Sequence, residues 1–332
     1  MINKLKAKGT SGMQNFIIIL AAIALFAVFT VINPGFASSG NLLTMTKSLV
    51  PYAILSLGVT FAIATGGIDL SLGTVCFGSA VLAGALCKTG VTAEEGTLWL
   101  TIPIILVVGV IFGLINGFLV AKCKIAPFIA TLGTMLVSRG LTAVVAEASR
   151  GTSSAVKYPS TGWFQKIFTN LNGFPIGIVW VLVLTVICMI VMYKTKIGRY
   201  ILAIGSNEEA ARLSGINTAN WKIGAYVLSG FFVGMAALFY AAVYSTITPG
   251  TGAGQEMHGI TGVIVGGTSM AGGSGTMVGT LIGVFIMSVL KNGLPACGLQ
   301  APWQNFFTGI VVIGAVLLDI QRTKAAAKVK KA

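Results

Sequence analysis

Charge is scarce in this 332-residue chain: Asp, Glu, Lys and Arg together make up 9% of it, and only eight residues are acidic. A soluble domain carries roughly 25% of these four types, so the chain lacks the charge to cover a water-facing surface. An ordinary cytosolic enzyme is excluded. Histidine is almost absent too: His258 stands alone, and no metal or catalytic cluster can be built from several imidazoles. The five cysteines, Cys76, Cys87, Cys123, Cys188 and Cys297, are scattered singly, which excludes a disulfide scaffold and a zinc ligand set. They are expected to pack as small hydrophobes. What abounds is apolar: 55% of the chain is hydrophobic and its mean hydropathy is +0.91, which excludes disorder.

The net charge of +14 does not point to nucleic acid, whose partners need basic residues gathered on one soluble face. Here they punctuate apolar segments. A helix crosses the hydrocarbon in about 20 apolar residues, and the chain offers ten such stretches, near 14–33, 48–65, 72–87, 98–121, 125–147, 175–193, 223–246, 257–270, 276–293 and 303–319. The 257–270 stretch is short enough to be broken or re-entrant. The first is followed by Asn33-Pro34-Gly35 and reads as a retained span rather than a cleaved signal. The expected fold is an all-α polytopic bundle: a 1–13 leader segment, one membrane domain over 14–319 with a long loop at 194–222, and a basic tail over 320–332.

Ten crossings put both termini on one side. Residues 1–13, the turns near 66–71 and 271–275, Lys122-Cys123-Lys124, 194–222 and the tail hold 15 of the 22 Lys and Arg. The other side holds six, with Lys291 counted among them, and Arg139 falls within a span. By the positive-inside rule both termini are cytoplasmic. The longest outer loop, 148–174, is expected to lie on the membrane surface or on an external partner.

Ionisable groups at membrane depth are costly and functional by default. Asp69 lies in Gly66-Gly67-Ile68-Asp69-Leu70-Ser71-Leu72-Gly73, a glycine-flanked helix break. Two roles are open to it and can coexist: a cap on the next span, or a polar point on a translocation path. A second break, Gly266-Gly267-Thr268-Ser269-Met270-Ala271-Gly272-Gly273-Ser274-Gly275-Thr276, echoes the first, with Ile264-Val265-Gly266-Gly267 set against Ala64-Thr65-Gly66-Gly67. Most of these glycines serve close helix packing. Candidate path or gate residues are Gly66, Gly67, Asp69, Ser71, Asn116, Thr268 and Ser269. Glu256 and His258 stand at the outer end of a span, where the histidine reads as a satisfied polar residue. No nucleophile with a base appears, so no catalytic residue is assigned.

The 194–222 loop contains Gly205-Ser206-Asn207-Glu208-Glu209-Ala210-Ala211-Arg212-Leu213-Ser214-Gly215-Ile216. Asn207 suits an N-cap, Glu208 and Glu209 suit a first turn, Arg212 lies four residues after Glu208, and Gly215 suits a C-cap. This describes a short helix outside the membrane, with Ala210, Ala211 and Leu213 as a small apolar surface fit for a partner's groove or for lipid.

From Asn41 to about Asp319 the chain resembles permease subunits of ATP-binding-cassette importers for ribose, galactose, xylose, arabinose and related sugars. The resemblance rests on the first break, on Pro127-Phe128-Ile129-Ala130-Thr131-Leu132-Gly133-Thr134, on the 205–216 run and on the second break, all in order. Permeases for branched-chain amino acids or nucleosides are the nearest neighbours, and the 66–73 and 205–216 runs look closer to the sugar group. The resemblance implies a bacterial inner-membrane channel paired with a second copy or a paralogous permease. It implies an ATPase subunit that carries ATP and Mg, so that this chain binds no cofactor, and an extracytoplasmic sugar-binding protein. It also implies that residues 206–215 form the helix that couples to the ATPase. The competing expectation is a proton- or sodium-driven carrier working through Asp69.

Overall fold

A computed structural model describes residues 2–87, 97–150, 155–169, 171, 173–252 and 254–331, with backbone alone at 2–15, 150, 301 and 322–331. Lys88, and the side chains of Lys4, Lys6, Lys8, Arg150, Arg322, Lys324, Lys328, Lys330 and Lys331, lie outside what is described. The helices are α1 (Ile2–Ile32), α2 (Ser39–Ala64), α3 (Leu72–Leu86), α4 (Leu98–Ala121), α5 (Pro127–Arg150), α6 (Trp163–Phe168), α7 (Gly177–Lys194), α8 (Lys196–Ser206), α9 (Glu208–Leu213), α10 (Thr218–Tyr244), α11 (Gln255–Val265), α12 (Met277–Ala296) and α13 (Ala301–Lys331). Ten of them coincide with the ten expected stretches. Among the described residues seven, α2, α4, α5, α7, α10, α12 and α13, are long and apolar enough to cross a membrane. The apolar part of α1, Phe16–Ile32, and α3 are shorter, and α11 has 11 residues. Helices α1 and α13 run on into the expected N-terminal segment and basic tail.

The layering follows from side-chain size. Between helices in lipid there is little hydrophobic driving force, so packing rests on small residues that let backbones approach. Gly109, Gly113 and Gly117 of α4 face Tyr226, Gly230 and Gly234 of α10 so closely that added β-carbons would overlap backbone. Helix α2 is the centre: 89% of its apolar window is buried, against 72% for α10, 67% for α12 and only 6% for α13. Large apolar residues of α5 and α13, such as Phe128, Val137, Phe306 and Ile313, stay exposed on the outside, as a lipid-facing surface requires.

The 148–174 loop corrects its expectation, for the part described packs on the bundle itself. Its strand β1 (Val156–Lys157) pairs antiparallel with β2 (Thr246–Ile247) after α10, the Tyr158 hydroxyl donates to the Ala80 carbonyl at 2.6 Å, and Phe164 of α6 is fully buried. Lys291 is corrected as well: it lies inside α12, not in an outer loop.

Candidate coupling and translocation site

Both breaks end their helices in the same way. After α2, Gly66 N donates to Ile63 O and Gly67 N to Ala62 O; after α11, Gly267 N donates to Ile264 O and Thr268 N to Val263 O. This paired pattern is a Schellman end, which needs a left-handed residue past the cap. Gly66 (φ 80°) and Gly267 (φ 93°) fill that place. The structural register therefore sets Thr65-Gly66-Gly67 against Gly266-Gly267-Thr268, one residue away from the alignment read in sequence.

In the first break Asp69 is buried. Its Oδ1 accepts from the Ser71 amide at 2.9 Å and the Ser71 hydroxyl at 2.6 Å, and both carboxylate oxygens accept from Asn116 Nδ2 at 3.3 Å. Asn116 Nδ2 also lies 2.9 Å from Ser71 Oγ, and its Oδ1 accepts from Thr134 Oγ1 at 2.6 Å. Thr131 Oγ1, which donates to the Pro127 carbonyl, accepts from the Leu70 amide at 3.1 Å. Three of the expected residues, Asp69, Ser71 and Asn116, thus form one network that ties the break to α4 and α5. The expected cap role of Asp69 is not what forms: Ser71 is the N-cap residue of α3 and no side chain among the described residues caps the helix's opening amides, while the Asp69 carboxylate holds the Ser71 amide and hydroxyl in the turn before it. Thr131 and Thr134 were missed as site residues, though their i, i+3 spacing on α5 and their place in the 127–134 run were available signals. Tyr226 was missed without any such signal: its buried hydroxyl has no partner among the described residues and sits where a β-carbon on Gly67 would go.

Removing the Asp69 carboxylate strands the Ser71 amide and hydroxyl and weakens the hold on Asn116, at about 1–3 kcal/mol for each buried donor left unmade. Asp69→Ala is expected to lower folded yield and melting temperature in detergent. Asp69→Asn, which keeps an acceptor oxygen, is expected to retain most of both. Equal yield and melting temperature in Asp69→Ala and the unaltered chain would contradict this bracing role.

Thr268 and Ser269 are not brought to this network. Thr268 Oγ1 accepts from the Thr276 amide at 3.2 Å, closing the second break on itself. Ser269 Oγ donates to Asp319 Oδ2 at 3.2 Å and the Met270 amide donates to the same oxygen at 3.0 Å, which anchors the loop to α13. Their place in the fold is that of loop fasteners.

The short helix forms over Glu208–Leu213, inside the expected 206–215. Asn207 Oδ1 accepts from the Ala210 amide at 3.0 Å, and Gly215 (φ 81°) closes the C-terminus, while the Ser214 hydroxyl donates to the Ala210 carbonyl. The expected Glu208–Arg212 pair is replaced: Arg212 holds Glu209 bidentately, at 2.6 and 3.1 Å. Glu208 is free to turn to Lys222 of α10 and, at 3.9 Å, to Lys124 in the α4–α5 turn. Partial burial raises the Glu208 carboxyl, but Lys222 and Lys124 outweigh it and hold it below its ordinary value of 4.5. The Arg212 guanidinium lowers Glu209 likewise. These ties are therefore complete above 4.5 and are lost as the pH falls through the lowered values. Ala211 is buried, whereas Leu213 is 76% exposed, so the apolar surface expected of Ala210, Ala211 and Leu213 faces two ways.

Immediately before α9, Gly205 and Ser206 touch both breaks. A β-carbon on Gly205 would overlap the Ala64 carbonyl at the end of α2 and the Gly273 amide; one on Gly273 would overlap Ser206. Gly273 N donates to Ala64 O at 2.9 Å. Sequence reading missed this junction because it joins residues 64, 205 and 273, and nothing local marks the meeting.

The structure is a helical bundle with seven helices long and apolar enough to cross a membrane among the described residues, two broken helices meeting at one end and a short polar helix at that end, the architecture of a polytopic membrane protein. Residues 41–316 match the family described as "Branched-chain amino acid transport system / permease component", and the chain belongs to it. It is 37% identical over 302 residues to the ribose import permease protein RbsC of Haemophilus influenzae, covering 90% of this chain and 91% of that one. To RbsC of Bacillus subtilis it is 35% identical over 319 residues, 94% of each. To the galactose/methyl galactoside import permease protein MglC of Escherichia coli K12 it is 31% identical over 317 residues, 93% of each. No solved structure matches. The chain is accordingly a transport subunit rather than an enzyme, and the carrier reading through Asp69 finds no support among these relatives.

Proposed function

We propose that the chain is the permease of an ATP-binding-cassette importer in the bacterial cytoplasmic membrane, forming the path for a monosaccharide, ribose or a related pentose or hexose. An extracytoplasmic binding protein delivers the sugar, a separate ATPase subunit binds and hydrolyses ATP with Mg, and a second permease copy completes the channel. In this reading all ten apolar helices span or enter the membrane, both termini are cytoplasmic, and α9 is the coupling helix.

The observation that carries the reading is the position of α9. It stands outside the bundle with Leu213 exposed, is held by Lys124 and Lys222, and is joined through Gly205 and Ser206 to both helix breaks. A force applied to α9 from below reaches the α2–α3 and α11–α12 breaks through backbone contact rather than through flexible side chains. ATP binding that closes an ATPase dimer biases such an element between two arrangements, and linkage requires sugar release to bias it in return. Asp69, Ser71, Asn116, Gly66 and Gly67 belong to the gate at the first break, and Thr268 and Ser269 set the loop that moves at the second. The path is shallow in charge, which suits a neutral sugar selected beforehand by the binding protein.

Proteoliposomes holding the permease, its ATPase and its binding protein are expected to accumulate radiolabelled ribose or galactose only when ATP is enclosed on the ATPase side. Accumulation driven by a proton or sodium gradient without ATP would overturn the proposal.

A further inference from the structure

A second polar cluster lies between α2, α11 and α12, at the start of α11 and away from the junction at α9. Lys291 donates to the Tyr52 hydroxyl and, at 3.3 Å, to Gln255 Oε1, and its ammonium sits 4.3 Å from the Tyr52 ring centre. The Tyr52 hydroxyl donates in turn to Gln255 Oε1. The His258 ring meets the Tyr52 ring edge-on at 5.6 Å, and its Nδ1 is buried without a partner among the described residues. The histidine is thus not the satisfied polar residue that its sequence position suggested. Among the described residues Lys291 forms no ion pair. Tyr52, His258, Val284, Met287, Ser288 and Lys291 line a small cleft of about 10 Å3, room for one water-sized group such as a single hydroxyl.

A lysine inside a membrane helix with no carboxylate beside it is expensive and marks function. An ammonium has three donors, and two are taken here by Tyr52 and Gln255, which leaves one unspent beside an unpartnered imidazole nitrogen. The ligand chemistry follows from that pair. A hydroxyl accepts from the ammonium and meets Nδ1 in either tautomer, donating to the bare nitrogen or accepting from N–H. A carboxylate or phosphate oxygen serves only one tautomer. His258 lies nine residues before Gly267, roughly 13 Å along α11, so any movement of the second break shifts one wall of the cleft.

We propose that the Tyr52–His258–Ser288–Lys291 cleft is a second polar station on the path, which takes a hydroxyl of an uncharged polyhydroxylated solute on the half of the permease away from α9. This rests on the import reading above.

The test uses the assembled importer carrying Ser288→Cys, labelled with an aminoethyl methanethiosulfonate reagent, with the unaltered chain as the control for its native cysteines. Excess ribose is expected to slow labelling at residue 288, and Lys291→Met to remove that protection. Lys291→Met is expected to lower maximal ribose uptake about tenfold, the cost of about one charge-assisted bond, and His258→Leu about fivefold, the cost of about one neutral bond. The apparent KM, set by the binding protein, stays unchanged, and Lys291→Arg recovers part of the rate. No protection by ribose, protection by inorganic phosphate in its place, or wild-type maximal rates in both folded variants would overturn the proposal. If Lys291→Met does not fold, Lys291→Arg and the protection assay on the Ser288→Cys chain decide alone. Ribose protection of residue 288 in the Ser288→Cys complex, together with an unaltered complex that imports neither ribose nor galactose, would instead contradict the import reading and leave the cleft as a polyol site.

Discussion

The double variant Glu208→Lys, Glu209→Lys is expected to insert and fold normally yet import sugar about a hundredfold more slowly than the unaltered permease. Helix α9 leans on the rest of the protein through little more than Ala211, the only residue of Glu208–Leu213 that is buried, so bundle stability does not depend on its charges. The exposed Glu209–Arg212 pair adds little to folding, and the part-buried Glu208–Lys222 pair ties α9 to the start of α10. Their effect on docking is larger. Reversal turns a patch that balances Lys124, Lys222 and Arg212 with two carboxylates into one with five positive charges and none negative. Like charges facing a partner built for the original pattern cost several kcal/mol, and about 2.7 kcal/mol is a hundredfold. Uptake and detergent-stable yield, measured on the same preparations, check the result. Normal uptake by the double variant would remove α9 from the coupling path.

Gly205→Val is expected to have the second large effect, on transmission rather than docking. The atoms its side chain would meet, the carbonyl of Ala64 and the amide of Gly273, are backbone and cannot swing aside. They are also bonded to each other at 2.9 Å, so the new side chain splits the two breaks apart. The expected outcome is a complex that still assembles and hydrolyses ATP but whose uptake falls at least about tenfold, because α9 no longer moves with the breaks. Gly224→Ala in α10 is the matched control: nothing lies within 4 Å of its β-carbon position, and alanine is the better helix former by about 1 kcal/mol. Uptake in Gly205→Val equal to that in Gly224→Ala would contradict the junction as the mechanical link.

The helices were legible because lipid imposes a length and an apolar composition that single stretches reveal, and α9 was legible because its capping residues act within a few positions of one another. The Glu208 partner was not: Arg212 has the right spacing, but Lys124 and Lys222 come from the α4–α5 turn and from α10, and Glu209 takes the arginine. Asp69, Ser71 and Asn116 could be singled out as polar residues in apolar runs, yet that they form one network with Thr134 depends on how α4 and α5 cross α3. Thr268 and Ser269 were polar and near a break, but their hydroxyls serve the loop and Asp319. His258 misled for the opposite reason, since a lone interfacial histidine is ordinarily satisfied, and its Nδ1 finds no partner among the described residues.

The central claim, that a separate ATPase drives this permease through α9, is tested most directly by gentle affinity purification of the tagged chain from its native membrane with mass spectrometry of what accompanies it. The account predicts that an ATP-binding-cassette ATPase co-purifies in stoichiometric amount with the unaltered chain and is lost from the Glu208→Lys, Glu209→Lys variant. Recovery of the permease alone in every mild detergent, or equal recovery of the ATPase with both chains, would contradict it.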